Sequence, residues 1–150
     1  PFMAVYEPTS VKEGGVIHSV ERLPISSAST AAALKVTDKK GGVYIFGNSN
    51  KGKAEMKGGL AFMGDLAVFA DTKVKKILYI GNGEFVENDD FFVACKEGMK
   101  GNITLEYSDE ELLVRSDVPI MIKTKNGRIR EKLKLQKEIV YHQAANEIFK

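Results

Sequence analysis

The residues that most resemble a chemical site are Gly47-Asn48-Ser49-Asn50-Lys51-Gly52-Lys53, a glycine-lysine run behind the apolar stretch Val43 to Phe46. They match the first seven positions of a phosphate-cradling loop, in which backbone N–H groups and a lysine hold the anion. The eighth position is Ala54, where such a loop needs a Ser or Thr hydroxyl for magnesium. Gly58-Gly59 also interrupts the chain where the phosphate-binding helix would have to run. A nucleotide-binding enzyme using loop 47–53 is one alternative, and a glycine-lysine hairpin is the simpler reading. The apolar run Leu66 to Asp71, which could pass for a second nucleotide motif, has the pattern of a strand entering a turn.

Other candidate groups have equally plain structural explanations. Pro1 could act as a general base through its ring nitrogen, but enzymes of that kind are built on βαβ units that this chain's pattern lacks. The two histidines, His18 and His142, are far apart and neither has a second imidazole at ligand spacing. Glu84, Glu87, Asp89 and Asp90 cluster without the alternation and glycine of a calcium loop and read as a solvated turn. Cys95 ends the apolar run Phe91-Phe92-Val93-Ala94-Cys95, where burial keeps a thiol protonated and inert. No Ser, His and carboxylate group into a triad, and there is no G-x-S-x-G elbow. The expectation is a protein with no catalytic residue, no metal site and no cofactor.

Charge is concentrated in one place. Lys123, Lys125, Arg128, Arg130, Lys132, Lys134 and Lys137 supply seven of the 22 basic side chains, with only Glu131 opposing them. Such a segment can bind a polyanion, nucleic acid or an anionic lipid surface, and that binding would weaken with salt. It lacks aromatic residues for base stacking, so a solvated face or a lysine-guarded edge strand accounts for it as well.

The elements that must position these residues are mostly strands. Short runs rich in Val, Ile, Phe and Tyr recur between glycine-bearing or acidic turns. Strands are expected near Met3 to Tyr6, Val16 to Leu23, Ala33 to Thr37, Val43 to Phe46, Leu66 to Ala70, Val74 to Ile80 and Glu84 to Val86. Four more are expected at Phe91 to Lys96, Asn102 to Tyr107, Leu112 to Arg115 and Pro119 to Thr124. Asp38 to Gly42, Gly58-Gly59, Gly81-Asn82-Gly83 and Asn126-Gly127 read as turns, the two Asn-Gly pairs being the strongest hairpin signals. Ser26 to Leu34 fits a loop or a short helix. Glu138 to Phe149 sets Ile139, Val140, Ala144, Ile148 and Phe149 near one face of a 3.6-residue period, which predicts an amphipathic helix.

The composition suits this arrangement. The 150 residues are 43% hydrophobic and 28% charged, with 22 basic against 20 acidic side chains, which excludes a disordered or collagen-like chain. At this length roughly 70% of the unfolded surface can be buried, so a core forms without disulfides. A lone cysteine fits a reducing compartment, and no apolar run approaches the ~20 residues of a membrane helix, so a soluble, cytoplasmic protein is expected.

Between residues 58 and 107 the order of features resembles part of the altered-inheritance-of-mitochondria family. The residues that carry the likeness are Gly58-Gly59-Leu60, Leu66 to Phe69, Ile77-Leu78-Tyr79-Ile80, Gly83-Glu84 with Val86, and Asp90 to Cys95 with Gly98-Met99 after them. The resemblance covers a third of the chain. It implies a β-sandwich related to the tryptophan RNA-binding attenuator-like fold, without enzymatic activity, that assembles through sheet edges. Taken together, the sequence predicts a mainly β, single-domain antiparallel sandwich or squat barrel with a C-terminal amphipathic helix at about 138–149. Its expected role is that of an oligomeric scaffold or binding module, of the kind found among viral or phage structural components. The homo-oligomer would form through sheet edges or through the apolar face of Ile139, Val140, Ile148 and Phe149.

Overall fold

The computed structural model describes residues 15–26, 31–109 and 111–125. Ten strands succeed one another: β1 (Ile17–Leu23), β2 (Ile25–Ser26), β3 (Ala31–Asp38), β4 (Val43–Met56), β5 (Ala61–Asp71), β6 (Lys76–Glu87), β7 (Phe91–Cys95), β8 (Gly101–Tyr107), β9 (Leu112–Ser116) and β10 (Ile120–Thr124). β-Branched and aromatic residues dominate them, and in β7 and β8 side chains alternate between buried and more exposed. That alternation is what a pleated strand with one face on a core produces. All pairings are antiparallel and form one open sheet ordered β1-β3-β4-β5-β6-β7-β10, with β2 added to β4, β8 added to β6 and β9 added to β8. The sheet is open, so the squat barrel is not formed by the described strands.

The three central strands are too long for one flat layer, and β6 shows why. Its first part pairs with β8 and its last three residues pair with β7, both along the same edge. Twelve extended residues would set the two ends of β6 roughly 36 Å apart. Instead the Nζ of Lys76, at its start, lies 3.2 Å from Oδ2 of Asp90, three residues beyond its end. The rings of Phe91 on β7 and Tyr107 on β8 meet edge to face at 4.8 Å between centroids. No pair of side chains spans 36 Å, so β6 doubles back and the sheet folds over on itself.

The corner of this fold is marked in each central strand. Register shifts fall at Gly47 to Ala54 in β4, at Met63-Gly64 in β5 and at Ile80 to Gly83 in β6, with Ser49, Gly64 and Gly83 adjacent across the sheet. Bulges of this kind bend a strand and strengthen its twist. The long arm of the folded sheet contains β1, β3, the start of β4, the end of β5, the start of β6, β8 and β9. The short arm contains β2, the end of β4, the start of β5, the end of β6, β7 and β10. Their inner faces share a single hydrophobic cluster, in which Ala33, Leu78, Ile80, Ile103 and Leu105 of the long arm meet Ala54, Phe62, Val86, Phe91 and Val93 of the short arm.

Several expectations change here. Gly81-Asn82-Gly83 is not a hairpin: it lies inside β6, where Asn82 takes a positive φ of 46° at the corner. The expected strands Val74 to Ile80 and Glu84 to Val86 are therefore two ends of one bent strand. β4 likewise runs on past Phe46 to Met56. Ala31 to Leu34, expected as loop or helix, belongs to β3. Two hairpins form as the turn signals predict. Asp38 accepts bonds from the N–H groups of Lys40 and Gly42 at the β3–β4 turn. Gly58 and Gly59 take positive φ at the β4–β5 turn. The expected strand at Met3 to Tyr6, the turn at Asn126-Gly127 and the helix at 138–149 lie outside the described residues. No helix among the described residues is long and apolar enough to cross a membrane.

Candidate functional site

The glycine-lysine run forms the corner of β4. Gly47 is buried with the Phe62 ring pressed where a side chain would begin, so a Cβ there would overlap the ring. The Ser49 hydroxyl, also buried, donates to the Gly52 carbonyl. Lys53 pairs with Glu55 and sits 5.9 Å from the centroid of the Phe85 ring. The chain then continues as strand through Ala54 to Met56, beside the antiparallel neighbour β5. A phosphate loop requires a helix amino end directly after its lysine and a parallel sheet behind it, and Lys53 has neither.

The other candidates are dispersed. Among the described residues no three His, Cys, Asp or Glu side chains converge on a point that could hold a metal ion. Glu87 pairs with Lys125, Glu84 lies near Lys100 and Asp90 is drawn inward to Lys76, so the acidic cluster is split among separate cations. His18 is exposed on β1. Cys95 is buried, its thiol donates to the Gly83 carbonyl at 3.2 Å, and burial, with the Asp117 charge second, pushes its pKa up. Of the basic segment, Lys123 and Lys125 are exposed, and Lys125 pairs with Glu87. Arg128, Arg130, Lys132, Lys134 and Lys137 lie outside the described residues, as do Pro1, His142, Ile139, Val140, Ile148 and Phe149.

A buried polar group that sequence reading did not assemble joins the arms where they meet. The Tyr107 hydroxyl donates to Asp90 Oδ2 at 3.0 Å and accepts from Asn88 Nδ2 at 2.8 Å. The same Asp90 oxygen receives Lys76 Nζ at 3.2 Å. Asn88 Oδ1 in turn takes the N–H groups of Asp90 and Phe91. Burial is the main reason the Tyr107 pKa is raised far above its ordinary value, with the Asp90 charge adding to it. A phenol held neutral in this way is a donor fixed in place, and each of its partners is tied to the backbone or to a neighbouring arm. The group serves as a latch between β8 and the β6–β7 turn.

The face of the long arm that points away from the core is the most unusual surface. In a solvated antiparallel sheet the outward side chains should be polar. Here the register carries one row through Leu34, Phe46, Val68 and Tyr79 and the next through Val36, Tyr44, Ala70 and Ile77. None of these eight belongs to the core cluster, whose members on the same strands lie at the alternate positions, yet Val36 and Ala70 are buried and the other six half-buried within the single chain. The first row continues to Arg22 on β1 and, through Thr104 of β8, to Arg115 on β9; the second continues to Val20 on β1 and, through Glu106 of β8, to Leu113 on β9. Leu66, on the same side of β5, is 43% exposed and Val20 46%. Charges stand toward its margins, and the Asp38 carboxylate at the β3–β4 turn accepts from the Tyr44 hydroxyl. Arg22 occupies one rim, and at the other Glu106 pairs with Arg115 and Lys75. Leu34, Phe46, Val68 and Tyr79 each occur in a recognisable strand, but only the pairing register shows that they line up.

In comparisons with known proteins, no family model, no curated protein and no solved structure matches this chain.

Proposed function

We propose that the protein is a β-sandwich scaffold that acts by assembly or binding through the outward face of its long arm. The observation that carries this is the two-sided apolar character of that arm: Leu78 and Ile80 serve the core while Phe46, Val68 and Tyr79 form a second apolar layer on the other side. A sheet apolar on both faces is characteristic of one covered on both faces. The likeness of residues 58–107 to the altered-inheritance-of-mitochondria family points the same way, since that family implies assembly without catalysis. The face is favoured over the edges expected from sequence. β1 carries His18, Glu21 and Arg22 and a register irregularity between Ile17 and Ser19, features that discourage strand addition.

Hydroxyl-radical footprinting of the full chain tests this reading. Tyr44, Phe46 and Tyr79 should react several times more slowly in the native protein, at its working concentration, than their exposure in the isolated fold dictates. Reaction at the rate that their half-buried state in the single chain dictates would overturn it.

A further inference from the structure

We infer that Asn82 is a site of spontaneous deamidation gated by the corner of β6, reacting when the corner opens and only slowly while it is closed. The inference is independent of what covers the outward face. An asparagine loses its side-chain amide when the backbone nitrogen of the next residue attacks its Cγ. The new N–C bond closes a five-membered succinimide, ammonia leaves, and water then opens the ring to aspartate or isoaspartate. No enzyme, metal or oxidant takes part. Glycine is the most permissive following residue, because it has no side chain to hinder the approach of its nitrogen, and Gly83 follows Asn82.

The folded corner withholds both reacting atoms. Asn82 is exposed, so water is at hand, but its Nδ2 group donates to Asp65 Oδ2 at 2.6 Å. The Asn82 N–H donates to Asn102 Oδ1 at 3.2 Å, and Asn102 is itself fastened to the Asp117 carboxylate by two bonds, at 2.7 and 2.6 Å. These contacts hold the residue at its positive φ of 46°. Gly83 is buried and pairs with Gly64 on β5 and with Gly101 on β8. Its nitrogen is therefore shut away from the water that must take its proton before it can attack. Ring closure needs the Asn82 side chain to leave Asp65 and swing over the 82–83 peptide, and it needs that peptide to turn out of the sheet. A local opening of the corner supplies both at once.

The product does not fit the corner it came from. Aspartate at position 82 sets a carboxylate against Asp65 where an amide donated, and like charges at that separation repel. Isoaspartate routes the backbone through the former side chain and adds a methylene just before Gly83, where β6 is already pressed against Met63 and Ile80. Either form biases the corner toward opening, and released ammonia does not return, so the step runs one way.

The test is peptide mapping by mass spectrometry of the full chain, incubated at neutral pH with and without urea. Asn82 should convert roughly tenfold or more slowly in the folded chain than in the unfolded one, the ratio reporting how rarely the corner opens. Asp65→Ala, which frees the side-chain amide, should raise the folded-state rate about threefold or more and leave the rate in urea unchanged. Asn102→Ala, which frees the Asn82 N–H, serves if the first variant fails to fold. Equal rates in the folded and unfolded chains would overturn the gate, as would a folded-state rate indifferent to both substitutions. Absence of conversion in urea would overturn the site itself. Asn82→Asp reads the consequence of the reaction. It should raise the unfolding equilibrium constant several-fold, and Asp65→Asn in the same chain should reverse this by again placing an amide opposite a carboxylate. An Asn82→Asp chain as stable as the native one would overturn the bias toward opening.

Discussion

At Tyr107 a single hydroxyl ties β8 to the β6–β7 turn, so its removal should be felt well beyond the ring. Tyr107→Phe leaves the Asn88 amide and the Asp90 carboxylate each short of a buried partner. Urea denaturation should show a loss of about 1–3 kcal/mol. The pH dependence has a defined sign. Burial raises the phenol's pKa above its ordinary 10.0, so the neutral form is favoured in the folded state. The resulting stability is complete below pH 10.0 and is lost as pH rises toward the folded-state value. The stability difference between the native chain and Tyr107→Phe should therefore shrink above pH 10, and a constant difference up to pH 11.5 would contradict the latch. Gly47 carries a second prediction. Gly47→Ala should cost about 1–3 kcal/mol through collision with Phe62, and Phe62→Leu in the same chain should recover part of it. A phosphate-binding glycine would show no such coupling to Phe62. The glycine itself is visible in the sequence as part of a motif. What decides its role is a ring fifteen positions away, and nothing local to residues 47–53 announces that contact.

Among the elements, β6 shows how far local patterns reach. Asn82-Gly83 reads in sequence as a place where the backbone turns to positive φ, and Asn82 does so. A hairpin and a strand corner ask the same thing of the chain locally; only the pairing of Ile80 with Ile103 and of Val86 with Val93 distinguishes them. The strand positions themselves are largely legible, because β1, β3, β7, β8, β9 and β10 each coincide with a run of alternating or β-branched residues. The outward face is not, since apolar residues at both parities of β4, β5 and β6 look in sequence like any fully buried strand. Gly83 makes the corner testable: a Cβ there would stand 2.7 Å from the Met63 carbonyl oxygen, a backbone atom that cannot step aside. Gly83→Ala should lower the thermal midpoint by more than ten degrees, whereas Gly98→Ala, in an open turn, should lower it by only a few, reflecting its positive φ alone. Equal effects would mean that the corner is not as tight as described.

The molecule as a whole owes part of its acid behaviour to three carboxylates at turns and edges. The Gly42 N–H is the chief cause of a lowered pKa at Asp38, the Lys75 ammonium at Glu106 and the Asn102 N–H at Asp117. Each is favoured in its charged form when folded. Their contribution is complete above the ordinary values of 4.5 for Glu106 and 3.8 for the two aspartates, and is lost as pH falls through the lower folded-state values. Thermal midpoints should decline below about pH 4.5, and Asp117→Asn combined with Asp38→Asn should flatten the lower part of that decline. An unchanged profile would show that other groups control it.

Because β4, β5 and β6 pass through both arms, each is a wall of two rooms at once. Heat cannot release one room while the other stands, since the same three stretches of backbone would have to be melted and intact together. Calorimetry should record one peak whose van't Hoff and calorimetric enthalpies agree. An insertion at the tip around Val74, which is 82% exposed, would hang outside both walls and leave that peak in place.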